Sequence, residues 1–233
     1  MRSSKWHALG NVYLLVEQVE PLTAERAREL SRDTDGVLEV DGNRVTVWNP
    51  DGSVAEMSGN GARIAAAWLA RETGERSVSL RVGDRDVTAT VDGDNVALDV
   101  GRVEVGAPET LDVEGDQVEF TPVSVGNPHA VVRRDPADVR HLGPLLEHHP
   151  RFPSRTNVQL VRVDGEHDVT VGVWERGAGE TTASGTSSVA AAAAAIANGW
   201  CTSPVTVHMP GGDLFVEIVD GEARLTGPAV ELA

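Results

Sequence analysis

The sequence predicts a mixed α/β (α+β) fold made of two equivalent domains, and three observations carry that expectation. Short β-type runs rich in valine alternate with Gly, Asp and Asn along most of the chain. Two alanine-rich segments read as its principal helices. Both open on the same Ser-Gly-polar sequence, and they lie about half the chain apart.

Taken in chain order, Leu22–Ser31 reads as a first helix capped by Thr23. Val37–Val40 and Arg44–Trp48 flank Asp41-Gly42-Asn43, a hairpin signal. Val78–Val82, Val87–Val91 and Val96–Val100 follow as strands, the last two joined by a turn at Asp92-Gly93. A weak helix is expected near Asp138–His148. Val158–Val163 and Val169–Trp174 flank Asp164-Gly165, and Val205–His208, Leu214–Ile218 and Ala223–Thr226 complete the strands. The first alanine-rich helix starts at Ser58-Gly-Asn-Gly-Ala-Arg63 and stops near Gly74. The second starts at Ser184-Gly-Thr-Ser-Ser188 and stops at Asn198-Gly199. Alanine on nearly every face lets strands approach closely, so both helices should be buried and central. The plain alternative is two unrelated capped helices. The sharper reading is a duplicated domain, each copy wrapping a mostly antiparallel, barrel-like sheet around one helix, with bounds at 1–110 and 111–221 and with 222–233 returning to the first.

Composition removes several function classes. The chain has 20 Lys+Arg against 36 Asp+Glu, a net charge of −16, which repels phosphate backbones and argues against nucleic-acid or anionic-membrane partners. Aromatic residues are 4% of the chain, too few for base-stacking platforms. No apolar run approaches the ~18 residues of a membrane span and no signal-peptide core is evident, so an intracellular, cytoplasmic protein is expected. The single cysteine, Cys201, excludes an internal disulfide and a multi-thiolate metal site, and reads as structural. Lys5 is the only lysine and sits in what reads as a polar N-terminal stub, a poor place for a Schiff base; no P-loop tripeptide exists. The scattered His141, His148 and His149 read as solvated surface rather than metal ligands. Gly177 and Gly179 lack the third glycine of a dinucleotide fingerprint. Glu56 and Thr182 stand where a hydrolase elbow would need glycine before Ser58 and Ser184. Arginine in place of lysine with excess carboxylate fits a high-salt or high-GC source.

What remains is chemistry at helix ends. Helix N-termini bind carboxylates through unpaired N–H groups. Two such ends aimed at one amino acid, with a side chain on each face of Cα, is the arrangement that cofactor-free racemisation requires. Polar residues gather where such a site would be lined: Asn11, Asn49, Asn127, His129, Asn157 and the pair Glu175-Arg176 before a glycine-rich loop. An Asn-Pro or Asn-Gly taken singly is usually a turn. Glu175-Arg176 is more specific, since Arg grips a carboxylate bidentately and Glu binds an ammonium.

These residues resemble diaminopimelate epimerase. The resemblance rests on Ala8-Leu-Gly-Asn11, Asn49-Pro-Asp-Gly-Ser53, Gly59-Asn-Gly-Ala-Arg63, Gly126-Asn-Pro-His129 and Asn157-Val158. Trp174-Glu-Arg-Gly-Ala-Gly-Glu-Thr181 with Gly185-Thr186, Pro210-Gly-Gly212 and Thr226-Gly-Pro228 completes it, in order along the chain. It implies two pseudo-symmetric domains and epimerisation of LL-2,6-diaminopimelate to the meso form in lysine and cell-wall precursor synthesis, without pyridoxal phosphate, other cofactor or metal. By it, Asn11, Asn49, Asn127 and Asn157 contact substrate, as do Gly59, Asn60, Gly185 and Thr186, while Glu175 and Arg176 bind its polar groups. His129 and Glu175 also support the two proton-transfer residues. The resemblance further implies a homodimer.

The family has cysteine at both proton-transfer positions; here they are Ser58 and Ser184. A thiol ionises near pH 8.5, and an aliphatic hydroxyl is several units weaker. Three accounts stay open: a serine-type epimerase, an isomerase or lyase of another small polar amino acid, and a binding-only protein, including one whose thiols have been replaced. A second departure is the short Ser31-Arg-Asp-Thr-Asp-Gly36 loop, where the family has a longer one.

Overall fold

In a computed structural model of the chain, the described residues are 2–17, 20–55, 58–83 and 85–232, so Glu56 lies outside them. The chain forms two compact units, Met1–Asp99 with Thr226–Ala233, and Val100–Leu225. The divisions thus fall at Asp99/Val100 and Leu225/Thr226, not at 110/111 and 221/222.

In the first unit, β1 (Arg2–Ala8) and β2 (Asn11–Glu17) form an antiparallel hairpin, closed through Leu9 and Gly10 at positive φ. Lys5 is therefore an exposed strand residue, which corrects the reading of this segment as a polar stub. Helix α1 (Ala24–Leu30) starts at Thr23, whose hydroxyl accepts from Arg26 N–H. Strand β3 (Val37–Asp41) runs parallel to β2 and antiparallel to β4 (Arg44–Trp48). Helix α2 (Gly59–Thr73) is stopped by Gly74 in the left-handed region, a conformation glycine adopts without Cβ strain. Beyond it β5 (Ser77–Val82), β6 (Arg85–Asp92) and β7 (Asn95–Arg102) continue the sheet, β5 parallel to β4 and the rest antiparallel. The chain end returns as β18 (Val230–Glu231) and pairs with β1. Strands β1 through β6 all touch α2, so the sheet curves around the helix. The small side chains Ala62, Ala65 and Ala66 are fully buried there and let it sit close.

The second unit repeats the scheme. Strands β8 (Glu104–Val105), β9 (Glu109–Val113), β10 (Asp116–Ser124) and β11 (Pro128–Val132) lead into β12 (Asn157–Gly165), parallel to β11. Then β13 (Asp168–Glu175), β14 (Gly179–Thr181), β15 (Val205–Met209) and β16 (Gly212–Val219) follow, with β17 (Glu222–Pro228) crossing the Leu225/Thr226 division. Helix α4 (Gly185–Ala197) touches β8, β10–β13, β15 and β16, and Ser187 through Ala195 are buried along its whole girth. Helix α3 (Val139–Glu147) packs Leu142 and Leu146 against Phe120, Val158 and Leu160. It approaches β13 closely because Gly143 has no Cβ, which would lie 2.6 Å from Trp174 Cβ.

A further trace of duplication appears in the structure. Trp48 ends β4 ten residues before Ser58, and Trp174 stands in β13 ten residues before Ser184. Each indole N–H donates to a buried carboxylate, Trp48 to Glu39 at 2.8 Å and Trp174 to Glu147 at 2.7 Å.

Candidate functional site

In the first unit the site residues collect where β2, β4 and α2 begin or end. Ser58 is the N-cap of α2, and its Oγ accepts from Gly61 N–H at 3.0 Å. The N–H groups of Gly59 and Asn60, in the first turn, have no partner within the helix by geometry. Behind them lies a directed chain of hydrogen bonds. Arg63, fully buried, donates through Nη2 to Asn60 Oδ1 at 2.6 Å. With its oxygen so engaged, Asn60 donates through Nδ2 to Asn11 Oδ1 at 2.5 Å. With its oxygen accepting from Asn60, the Asn11 amide keeps its nitrogen as a donor suited to a carboxylate. Burial pushes the Arg63 guanidinium down to about 10, opposed by Tyr13, so it stays charged at neutral pH. Asn49 lies past the end of β4 and is turned inward on its own loop, with Nδ2 donating to Ser53 Oγ at 2.9 Å.

In the second unit a larger group converges. Asn157, at the start of β12, donates to Pro128 O at 2.9 Å and accepts from Arg176 N–H at 3.0 Å, tying the Gly126–His129 turn to the Glu175-Arg176 corner. His129 is 2% exposed and its Nε2 lies 3.0 Å from Asn127 Oδ1. Burial pushes its imidazole down to about 3, while Gln159 acts the other way. His129 is therefore neutral at physiological pH and can orient but not carry charge. Gln159 is itself fixed, donating to Ser187 Oγ of α4 at 3.0 Å.

Glu175 ends β13 and hydrogen-bonds Ser184. Burial holds the Glu175 carboxyl above the usual range, and the bond to Ser184 opposes this. Ser184 is buried at the N-cap of α4, but its hydroxyl makes no cap hydrogen bond. The two serines thus occupy equivalent helix positions in different surroundings: Ser58 caps its helix, whereas the Ser184 hydroxyl does not and acts on the Glu175 carboxyl instead. Gly185 and Thr186 form the first turn of α4 beside it.

Sequence reasoning missed three contributors. Glu147, 3% exposed on α3, accepts from Trp174 Nε1 at 2.7 Å, Gly177 N–H at 2.8 Å and Arg155 at 3.2 Å, and so shapes the loop after Arg176. Gln159 and Tyr13 are the others. Each meets its partner across a long stretch of sequence, so no local spacing signals it. Cys201 is buried 4% exposed with its thiol toward Gly165 O, and burial pushes the thiol up, as suits a structural residue. Among the described residues no group of three or more His, Cys, Asp or Glu is disposed to hold a metal, and no helix is long and apolar enough to cross a membrane.

Known proteins resemble the chain along its length. The profile of the diaminopimelate epimerase family matches residues 3–106 and 121–232. Diaminopimelate epimerase of Pseudomonas syringae pv. syringae (strain B728a) is 35% identical over 267 positions, covering 100% of this chain and 97% of that protein. The enzyme of Pseudomonas fluorescens (strain Pf0-1) is 36% identical over 267 positions with the same coverage. A solved structure of a predicted epimerase from Pseudomonas aeruginosa has the same fold, with a TM-score of 0.75 and 18% identity over 100% of this chain and 97% of that one. A family profile that matches nearly the whole chain and relatives at 35% and 36% identity lead to one assignment. The chain is an isomerase acting on amino acids and belongs to the diaminopimelate epimerase family.

Proposed function

We propose that this chain epimerises 2,6-diaminopimelate between the LL and meso forms by two-base proton transfer at Cα, with no cofactor taking part. The observation that carries the reading is the placement of Ser58 and Ser184 at the N-caps of two buried, alanine-rich helices, with the Glu175 carboxyl acting on the Ser184 side chain. A hydroxyl alone is too weak an acid for this step. A carboxyl held above its usual range by burial, and joined to that hydroxyl, can take the proton that the hydroxyl passes on. Ser184 then serves as the relay at its face, and Ser58 as the group at the other. The first-turn N–H groups of α2 and α4 would hold the α-carboxylate and stabilise the charge that develops as Cα loses its proton. Arg176 would grip the substrate's remaining carboxylate and fix its orientation. The full-length likeness to diaminopimelate epimerases supports this substrate over other polar amino acids.

Incubation with LL- or meso-diaminopimelate in D2O tests the reading. Deuterium at Cα together with interconversion of the epimers is expected, and Glu175→Gln should lower exchange about 100-fold or more. Ligand-induced stabilisation without any exchange would refute epimerisation and leave a binding protein.

A further inference from the structure

The Glu175–Ser184 pair accounts for one of the two proton transfers, and the other falls to Ser58. Among the described residues Ser58 is hydrogen-bonded to no carboxyl, but it meets a phenol: Tyr13 Oη lies 3.3 Å from Ser58 Oγ. We infer that Tyr13 is the positioning residue through which Ser58 exchanges its proton, and that it makes a serine serviceable at this face. The inference rests on the functional reading above.

The geometry of one hydroxyl carries it. Ser58 Oγ has one proton and two lone pairs, and Gly61 N–H occupies one lone pair. If Tyr13 donates to the second, the serine proton is left for the substrate and Ser58 is a donor. If Ser58 donates to Tyr13, a lone pair faces the substrate and Ser58 is an acceptor. Reversing one hydrogen bond therefore converts Ser58 from acid to base. In the protonating direction a C–H bond forms at Cα with the proton of Ser58, whose Oγ takes the phenol proton and leaves tyrosinate. In the abstracting direction the Cα proton passes to Ser58 Oγ while the serine proton passes to tyrosinate. The 3.3 Å separation is long for two hydroxyls, and catalytic contacts of unliganded enzymes commonly tighten when substrate binds.

The surroundings are built for that phenol. Tyr13 is buried, 9% exposed. A tyrosinate at Tyr13 would be favoured by the charge of the fully buried Arg63 guanidinium, and would favour that charge in turn. The backbone on either side of Tyr13 is held by the short loop after α1: Asp35 N–H donates to Val12 O at 2.7 Å, Asp35 Oδ2 accepts from Val12 N–H at 2.8 Å, and Leu14 N–H donates to Gly36 O at 3.1 Å. Gly36 lies against the ring itself, and a Cβ there would stand 2.9 Å from Tyr13 Cε1. The short loop thus fixes the position of the tyrosine.

A double-mutant cycle tests the role, read as α-deuterium exchange with diaminopimelate in D2O, with thermal melts confirming that every variant is folded. Tyr13→Phe keeps the ring and removes the hydroxyl. It should lower exchange about 100-fold when residue 58 is serine. In the Ser58→Cys background, where the thiol needs no assisting acid, the same change should cost less than about 3-fold. Equal losses in both backgrounds would reduce Tyr13 to a packing role and overturn the inference, as would unchanged exchange in Tyr13→Phe. If the unaltered protein exchanges no α-proton, the functional reading fails and this role falls with it; equal losses in an active protein refute only the role of Tyr13.

Discussion

Glu147 offers a direct measure of how the Glu175-Arg176 corner is held. Its carboxylate is 3% exposed and accepts from Trp174 Nε1, Gly177 N–H and Arg155. Glu147→Ala leaves two short hydrogen bonds, at 2.7 and 2.8 Å, without an acceptor. Each bond to a charged group contributes about 1.5–3 kcal/mol. Arg155 is exposed and resolvates, so it adds little. Water reaches the Gly177 end of the loop and offsets part of the loss, which leaves a net cost of about 3 kcal/mol. For a chain of this size that lowers Tm by about 6–12 °C. Glu147→Gln keeps one acceptor oxygen and turns an NH2 toward the other donor, so about half the cost is expected. Thermal melts followed by Trp fluorescence give the number, and ligand-induced stabilisation by diaminopimelate reports whether Arg176 has moved. A Glu147→Ala melt within 2 °C of the unaltered protein (about 1 kcal/mol or less) would refute the argument. The acid limb gives an independent check. Hydrogen bonds from Trp174 and Gly177 outweigh burial and hold this carboxyl below its ordinary value. Its contribution is present above the usual carboxylate range and is lost as pH falls through the lowered folded value, so Glu147→Ala should flatten the loss of stability at acid pH.

Three further outcomes are expected. His129, pushed down to about 3 by burial, should show no imidazole titration by NMR between pH 5 and 8; because its folded value lies below the unfolded one, its effect is to destabilise as pH falls below about 6.5. Gly143→Ala places a Cβ 2.6 Å from Trp174 and should cost about 1–3 kcal/mol in urea unfolding, whereas an exposed change such as Arg26→Ala should cost about 0.5 kcal/mol or less. With a net charge of −16, the protein should gain several degrees of Tm between low and about 1 M salt as like charges are screened, and an unchanged or falling Tm would contradict that.

The central helices were legible because their signals are local. Ser58 and Ser184 precede alanine runs, Gly74 and Asn198 end them, and the hairpin at Asp41–Arg44 carries its own turn. The N-terminal hairpin was not legible: β1 reads Arg-Ser-Ser-Lys-Trp-His-Ala and takes its strand character from β2 and from β18 at the far end of the sequence. Strands β9–β11 were missed for a similar reason, since no alanine helix or tight Asn-Gly turn marks them. At the site, sequence motifs indicated which residues to watch but not how they divide the work. Tyr13 meets Ser58 across 45 residues, and Glu147 meets Trp174 across 27. The unequal partners of the two serines are likewise a tertiary fact, invisible in two segments that read alike.

The return of the chain to its first unit has a consequence for synthesis. Residues Val100–Leu225 form the second unit from one continuous segment, which can fold as soon as it leaves the ribosome. The first unit cannot finish then, because Val230 and Glu231 pair with His7 and Trp6, Leu232 N–H donates to Lys5 O, and Ala229 N–H donates to Asp94 O. Arg71 at the end of α2 also closes on Glu231. The half that emerges first is therefore completed last. Until then β1 presents an unpaired edge, and its polar sequence of Arg2, Ser3, Ser4 and Lys5 suits a strand that must wait without recruiting a neighbour.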